Sequence, residues 1–491
     1  MIQAQRFERI PERTVDDWRG RVEGALRARV HLLSLFGRRD GDEVLVTALL
    51  QRDDGAVEVE RARVAALGYA SLTPQFPALH IFERELHEQT GLSIHGHPWC
   101  RPVRFEGAAR GSHDRHPFHV VAGKEVHEVA VGPIHAGVIE PGAFRFMCLG
   151  ETVHHLEICL GYQHRGVEAL LLRRDVRSLG PLVESVAGDT SVGHAWAYSA
   201  AIEALTGQPA SPNESLRRAI LLEFERVGMH LATLAGVAAD VGFLQGAATF
   251  GRLRTTVINT IQRLCGSRFG RGAIRPGSTR ATLDGFAGTG PTTGLSLPEV
   301  HANLTLVERD LQTVEDLFTS ARTVRHRLEG VGSVSPALAE AIGLVGPVAR
   351  AAAAHRDLRV RGPAAYDPPV GLATRSEGDC WGRTLVRLDE LQHSLTWLRS
   401  AFERAPHWTT SRVSIGALTP SALVVALVEG LRGEIVHALE TDGDGRLVHY
   451  KVQDPSLRNW LGLALAVRDN EISDFPICNK TFDLSYCGND L

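Results

Sequence analysis

Three short stretches of this 491-residue chain crowd ionisable side chains among glycines and apolar residues. Such crowding is how acid–base chemistry is built, because burial and neighbouring charge shift the pKa of each group. The first stretch, VGPIHAGVIEPGAFRF, carries His135, Glu140 and Arg145 on what reads as a β-turn loop. The second, LEICLGYQHRGVEALL, carries Glu157, His164, Arg165 and Glu168. On a single helix these four could not all face solvent, so some are expected to be buried and paired. The third, ESVAGDTSVGHAWAY, sets Asp189, Thr190 and His194 among residues small enough for a flat ligand or another backbone to approach. Each stretch also has a purely structural reading. These are incidental polar residues in a loop, an ion-pair network, and a helix entrance capped by Asp189 or Thr190.

Other chemistries lack their motifs. There is no GxSxG elbow, no phosphate loop, no HExxH pair and no Rossmann fingerprint, so the chain is not expected to bind a nicotinamide dinucleotide itself. The glycine-rich run Gly266 to Gly272 lacks the Lys-Ser/Thr that a phosphate loop needs. The adjacent His154 and His155 read as one buried and one exposed residue sooner than as metal ligands. Seven cysteines, none in a CxxC pair, argue against a zinc ribbon, a self-contained iron–sulfur site and a disulfide framework. Reduced thiols in a cytosolic protein are expected instead. A net charge of −4 gives no electrostatic case for nucleic acid or an anionic membrane. No run approaches the about 18 apolar residues of a membrane span.

The elements that must position these residues divide the chain in two. Residues 1–105 read as a small α+β unit, with a helix near 14–30 and short strands split by turns at Asp40-Gly41 and Asp53-Asp54-Gly55. A short helix carrying Glu83, Glu85 and Glu88 follows, and 106–119 reads as a linker. Residues 120–491 read as a mainly α-helical domain with a small β element from distant segments. Its helices are expected at about 191–207, 211–244, 251–265, 297–328, 335–354, 380–403 and 456–468. Ser211 and Asn213 are candidate caps, and a hairpin turns at Asp442-Gly443-Asp444-Gly445. The last strip, DFPICNKTFDLSYCGNDL, is too rich in aromatic residues, Pro and Cys for a frayed tail and is expected to be buried.

Taken in order, VGPIHAGVIEPGAFRF, LEICLGYQHRGVEALL, ESVAGDTSVGHAWAY, EFERVGMHL and the terminal strip resemble the large subunit of membrane-bound group 4 [NiFe]-hydrogenases. They also resemble its relative, the 49 kDa quinone-site subunit of respiratory complex I. Residues 1–105, with FERELHEQTGLSIHGHP, resemble the 30 kDa complex I subunit, which some of these hydrogenases carry fused at the N-terminus. In such hydrogenases two CxxC pairs hold nickel and iron. By register on His194, Tyr486 and Asp490 those positions fall on Ala187, Thr190, Ser485 and Gly488, so all four thiolates are missing. Nickel and low-spin iron demand soft thiolates, and the resemblance therefore points to a member without that centre.

The resemblance implies further roles. Arg165 of the HRG motif, with His164 beside it, and His230 would lie at the terminal iron–sulfur cluster of a partner small subunit. They would tune its potential through charge and hydrogen bonds. His135, Glu140, Glu157, Asp189, Thr190 and His194 would line a vestigial cavity, open to a quinone-like acceptor or to proton uptake. Glu157 and Glu168 match acidic residues of proton routes, while Arg226, Asp379, Arg383 and Glu390 match framework ion pairs. No cofactor is expected on this chain itself. The expected setting is an NADH:quinone oxidoreductase-like complex with antiporter-like membrane subunits, on the cytoplasmic face of the inner membrane. The rival expectation is a non-catalytic scaffold that docks the iron–sulfur subunit onto an ion-translocating module.

Overall fold

The computed structural model of the protein describes residues 2–137, 139–281, 283, 295–360, 364–405 and 413–491. In the N-terminal part, strands His31–Asp40, Glu43–Gln51 and Val57–Ala65 form an antiparallel meander, and Glu12–Arg13 adds parallel to its free edge. The Asp40-Gly41 turn signal is realised as a tight hairpin pairing Asp40 with Glu43, with Gly41 at a φ of 66° that glycine adopts without strain. Helix Val15–Arg27 starts at Thr14, whose hydroxyl accepts the Asp17 amide, and it drives Trp18 into the core over the sheet.

Strand Ile2–Arg6 leaves this unit and pairs antiparallel with Ala422–Gly430, which continues through Gly433–Thr441 to Leu447–Gln453. A separate three-stranded sheet holds Val126–Val131, Ala143–Leu149 and Thr152–Cys159. Against these sheets stands a helical core centred on the 29-residue helix Pro212–Asp240, with Leu244–Cys265, Leu297–Ser320 and Cys380–Arg404 around it. The α+β beginning and mainly helical remainder with a small β element are thus as the sequence indicates. Ser211 caps the long helix through the Glu214 amide. Two expected helices are each broken in two. Ala321 turns to an extended conformation between 297–320 and 322–328, and left-handed Gly343 and Gly346 separate 336–341 from 346–351.

Helix Ser191–Leu205 is buried on nearly every face, which suits its small side chains and places its N-terminus inside the protein. The C-terminal strip closes over that end as two short helices, Phe475–Phe482 and Tyr486–Asp490. It is tied down by its own final residues. The fully buried Asp490 carboxylate accepts the amides of Gly161 and Gln163, each at 2.8 Å. Its carbonyl meets His164 Nδ1 at 2.7 Å, and the Leu491 carbonyl accepts the Arg165 amide at 2.7 Å. The Arg104 Nε donates to the Asn489 carbonyl. The aromatic residues and the Gly-Asn-Asp ending are therefore a built-in clamp.

Candidate functional site

Thr190 is the first non-helical residue before helix Ser191–Leu205, but neither its side chain nor that of Asp189 caps the helix. The amides of Val192 and Gly193 donate instead to the Glu225 carboxylate, at 2.7 and 3.2 Å, from the neighbouring long helix. Burial pushes the Glu225 pKa up to about 8 despite these two donors. Asp189 is thereby free for Arg432, which sits in the turn between strands Ala422–Gly430 and Gly433–Thr441. The pair is bidentate, at 2.8 and 2.6 Å, and the same guanidinium donates to Thr190 Oγ1 at 3.2 Å and to the Asp483 carbonyl. Burial opposes the charged form of Asp189, yet Arg432 outweighs it and holds the carboxyl below its usual range.

Behind this pair runs a chain of buried groups. Asp454 Oδ2 lies 3.2 Å from His194 Nε2, His194 Nδ1 lies 3.0 Å from His437 Nε2, and His437 Nδ1 lies 2.8 Å from the Tyr450 hydroxyl. One assignment of protons satisfies every member. Tyr450 donates to His437, His437 to His194, and His194 to the Asp454 carboxylate. Burial and the neighbouring His194 hold His437 neutral, far below the usual histidine range. Asp454 stays ionised against its burial because His194 and the Ser456 amide stabilise the carboxylate. The result is a hydrogen-bonded relay of one polarity ending beside Arg432.

All four register positions are buried. Ala187 is fully buried, and Thr190 is engaged by Arg432. The Ser485 hydroxyl accepts the Gly488 amide at 3.0 Å and caps the last helix. Gly488 faces Asp454 so closely that a Cβ there would lie 2.6 Å from the carboxyl carbon. Cys487 lies 3.4 Å from the Ser485 hydroxyl and faces Glu140; burial and that carboxylate push its thiol up to about 11. Among the described residues no cluster of three or more His, Cys, Asp or Glu could hold a metal ion.

The remaining candidates from the sequence divide into two groups. Several gather around the terminal strip. Arg165 grips three backbone carbonyls, those of Ser185, Val186 and Cys487, at 2.6, 3.2 and 3.0 Å. His164 holds the Asp490 carbonyl. The loop bearing His135 and Glu140 lies over the strip, with Gly142 pressed against the Tyr486 ring, and His135 is spent on the Gly142 carbonyl at 2.8 Å.

Others stand apart. Glu157, His164, Arg165 and Glu168 do not share a helix, because they fall on a strand, a loop and the start of helix Val167–Leu172. Glu157 binds the 101–119 segment, accepting from Arg101 (3.0 Å), His116 (2.8 Å) and the His119 amide (2.6 Å). Although burial opposes ionisation, these donors bring it down to about 2. Glu168 pairs with Lys451 at 3.1 Å. His230 is fully buried and donates to Glu390 at 2.9 Å, inside a network where Arg350 bridges Glu390 and Glu429 and Arg359 reaches Glu223. Burial lowers His230 to about 4, so it is neutral there.

Sequence reading did not single out Arg432, Asp454, Glu225, His437 or Tyr450. Only His437 left a signal, as a lone polar residue within the buried apolar run IVHAL.

Comparison with known proteins places these features in context. Residues 240–415 match the family of the respiratory-chain NADH dehydrogenase 49 kDa subunit. The chain is 30% identical over 364 residues to the carbon monoxide-induced hydrogenase of Rhodospirillum rubrum, covering 73% of this chain and 97% of that protein. It is 26% identical over 446 residues to formate hydrogenlyase subunit 5 of Escherichia coli (86% and 77% covered). It is 27% identical over 394 residues to NADH-quinone oxidoreductase subunit 4 of Thermus thermophilus (73% and 92%). Among solved structures, a chain of the membrane-bound sulfane sulfur reductase, an archaeal respiratory membrane complex, superposes with a TM-score of 0.69 at 20% identity. That superposition spans 76% of this chain and all of the other.

Proposed function

Because this chain belongs to the family joining the 49 kDa subunit of respiratory-chain NADH dehydrogenase with membrane-bound hydrogenase large subunits, we propose that it is the large subunit of a membrane-attached oxidoreductase without a nickel–iron centre. No helix among the described residues is long and apolar enough to cross a membrane. Attachment would come through antiporter-like membrane subunits, at the cytoplasmic face of the inner membrane. Electrons would arrive at the iron–sulfur cluster of a small subunit.

The observation that carries this reading is the set of groups at Ala187, Thr190, Ser485 and Gly488 and the contacts that already engage them. A thiolate-held centre needs soft donors there. This chain offers a methyl group, a hydroxyl engaged by Arg432, a hydroxyl engaged in capping, and a glycine covered by Asp454. Such a set does not suit nickel or low-spin iron. What it suits is holding a proton. Reduction of a nearby cluster adds one negative charge, which favours protonation of Asp454, and the His194–His437–Tyr450 relay offers a route of fixed polarity for that proton. Arg432 stabilises the carboxylate while it is ionised. The chain would thus couple electron transfer to proton uptake.

The scaffold reading has one observation in its favour. Arg165 is spent on three carbonyls of its own chain, which is a structural task. Purification of the tagged chain in mild detergent, with mass spectrometry of its partners and metal analysis, tests the proposal. It predicts an iron–sulfur subunit and membrane subunits, with iron present and nickel absent. Recovery of the chain alone from the soluble fraction, or one nickel per chain, would overturn it.

A further inference from the structure

The cysteines of the terminal region are not all inert filler. Cys478, on helix Phe475–Phe482, faces Cys380, the first residue of helix Cys380–Arg404, with the two Sγ atoms 3.8 Å apart and both residues fully buried. Beside them lies Arg383. Its Nη2 approaches Cys380 Sγ at 3.2 Å, its Nε donates to Thr481 at 3.0 Å, and its Nη1 donates to the carbonyls of Gly332 and Gly378.

Arg383 is itself fully buried, and among the described residues no carboxylate lies within ion-pair range of it. A buried guanidinium without an anion is costly. The nearest group able to become one is the Cys380 sulfur. It also sits at a helix N-terminus, where negative charge is stabilised. Burial disfavours the thiolate, but the Cys478 thiol and Arg383 together bring Cys380 below the ordinary thiol range, while Cys478 is raised. The contrast with Cys148 and Cys159 is direct. Both are buried, no arginine among the described residues hydrogen-bonds to either sulfur, and burial raises both.

Gly332 packs against the pair, since a Cβ there would stand 2.5 Å from Cys478 Sγ and 3.5 Å from Cys380 Sγ. Gly332 is itself buried, and Ser333, next along the chain, is exposed.

We propose that Cys380 and Cys478 form a peroxide-reactive dithiol that closes to an intramolecular disulfide. The Cys380 thiolate attacks one oxygen of hydrogen peroxide, the O–O bond breaks, and the departing hydroxide takes a proton to leave as water. Cys380 is then a sulfenic acid. Cys478 loses its proton and attacks that sulfur, and the sulfenic oxygen leaves as a second water. Two thiols and one peroxide thus give one disulfide and two waters. The sulfurs need to approach from 3.8 Å to a bond of about 2.05 Å. The disulfide removes the anion beside Arg383 and fastens the terminal strip to the helix that carries Glu390. This inference is independent of the proposed electron-transfer role.

The test uses the purified full-length chain in its complex. The protein is treated with equimolar hydrogen peroxide, quenched with catalase, alkylated under denaturing conditions and digested. The expected product is a reducible Cys380–Cys478 linked peptide, formed before the exposed Cys100 is modified. In Cys478→Ser the link is lost and dimedone traps a sulfenic acid at Cys380. In Cys380→Ser no link forms and Cys478 stays alkylatable. Oxidation of Cys100 in the unsubstituted protein while Cys380 and Cys478 remain fully alkylated would overturn the proposal, without reliance on any variant. So would a Cys478→Ser protein that yields no sulfenic acid.

Discussion

The carboxylate of Asp454 stands where a side chain on Gly488 would stand, with the carboxyl carbon 2.6 Å from a Cβ built on that glycine. Asp454 cannot yield cheaply, because His194 and the Ser456 amide hold it from two sides. Gly488→Ala is therefore expected to destabilise the chain by about 1–3 kcal/mol, as overpacking of a fixed buried group does. The methyl group's gain in helix propensity offsets about 1 kcal/mol at most. Urea unfolding of wild type and variant checks the sign.

The Arg432–Asp189 pair is buried on one side only, since Asp189 keeps 37% side-chain exposure and Arg432 only 6%. Removing one partner of a fully buried pair costs about 3–5 kcal/mol. For Asp189→Asn, solvent screening reduces this to roughly 1–2 kcal/mol. Arg432→Met is expected to cost more, because it also frees Thr190 and the Asp483 carbonyl. Thermal melting of the two variants should rank them in that order.

Glu225 gives a pH signature. Its folded pKa is raised to about 8, so the folded protein binds this proton more tightly than the unfolded chain does. Its contribution is most favourable below the unfolded value of about 4.3 and is lost as pH rises toward 8. The slope is at most about 1.4 kcal/mol per pH unit. Glu225→Gln should remove it, so that wild type loses stability relative to the variant between pH 5 and 8. Parallel stability curves for the two would contradict the assignment.

Arg165 separates a structural from an electronic role. Replacing it with Ala removes three carbonyl contacts, and amide exchange in residues 486–491 should accelerate by at least about tenfold. Unchanged protection of that strip would mean that the arginine is not what holds it.

Much of the fold was legible because it is written in local signals. The Ser211 cap, the Asp40-Gly41 hairpin and the turn near Asp442 all lie where short-range chemistry puts them. The breaks at Ala321 and Gly343 were not, because helical periodicity continues across them. The site was half legible. Asp189, Thr190 and His194 stood out as polar residues among small ones, yet their partners Arg432 and Asp454 lie more than two hundred residues away. The same applies to Cys380 and Cys478, which pair across ninety-eight positions. Strand Ile2–Arg6 carries no mark of its pairing with Ala422–Gly430, since edge pairing depends on register supplied by the partner. Helix capping by Glu225 was hidden for another reason: the donor amides and the acceptor belong to different helices.

The Asp454–His194 relay is expected to take up a proton when the partner's cluster is reduced. This uptake is tested most directly by a redox titration of that cluster in the intact complex, followed by electron paramagnetic resonance at several pH values. One proton per electron predicts a midpoint potential that falls by about 59 mV per pH unit, and a flattened slope in Asp454→Asn with the cluster still present. A slope unchanged by Asp454→Asn, or a wild-type potential independent of pH, would exclude proton uptake by Asp454.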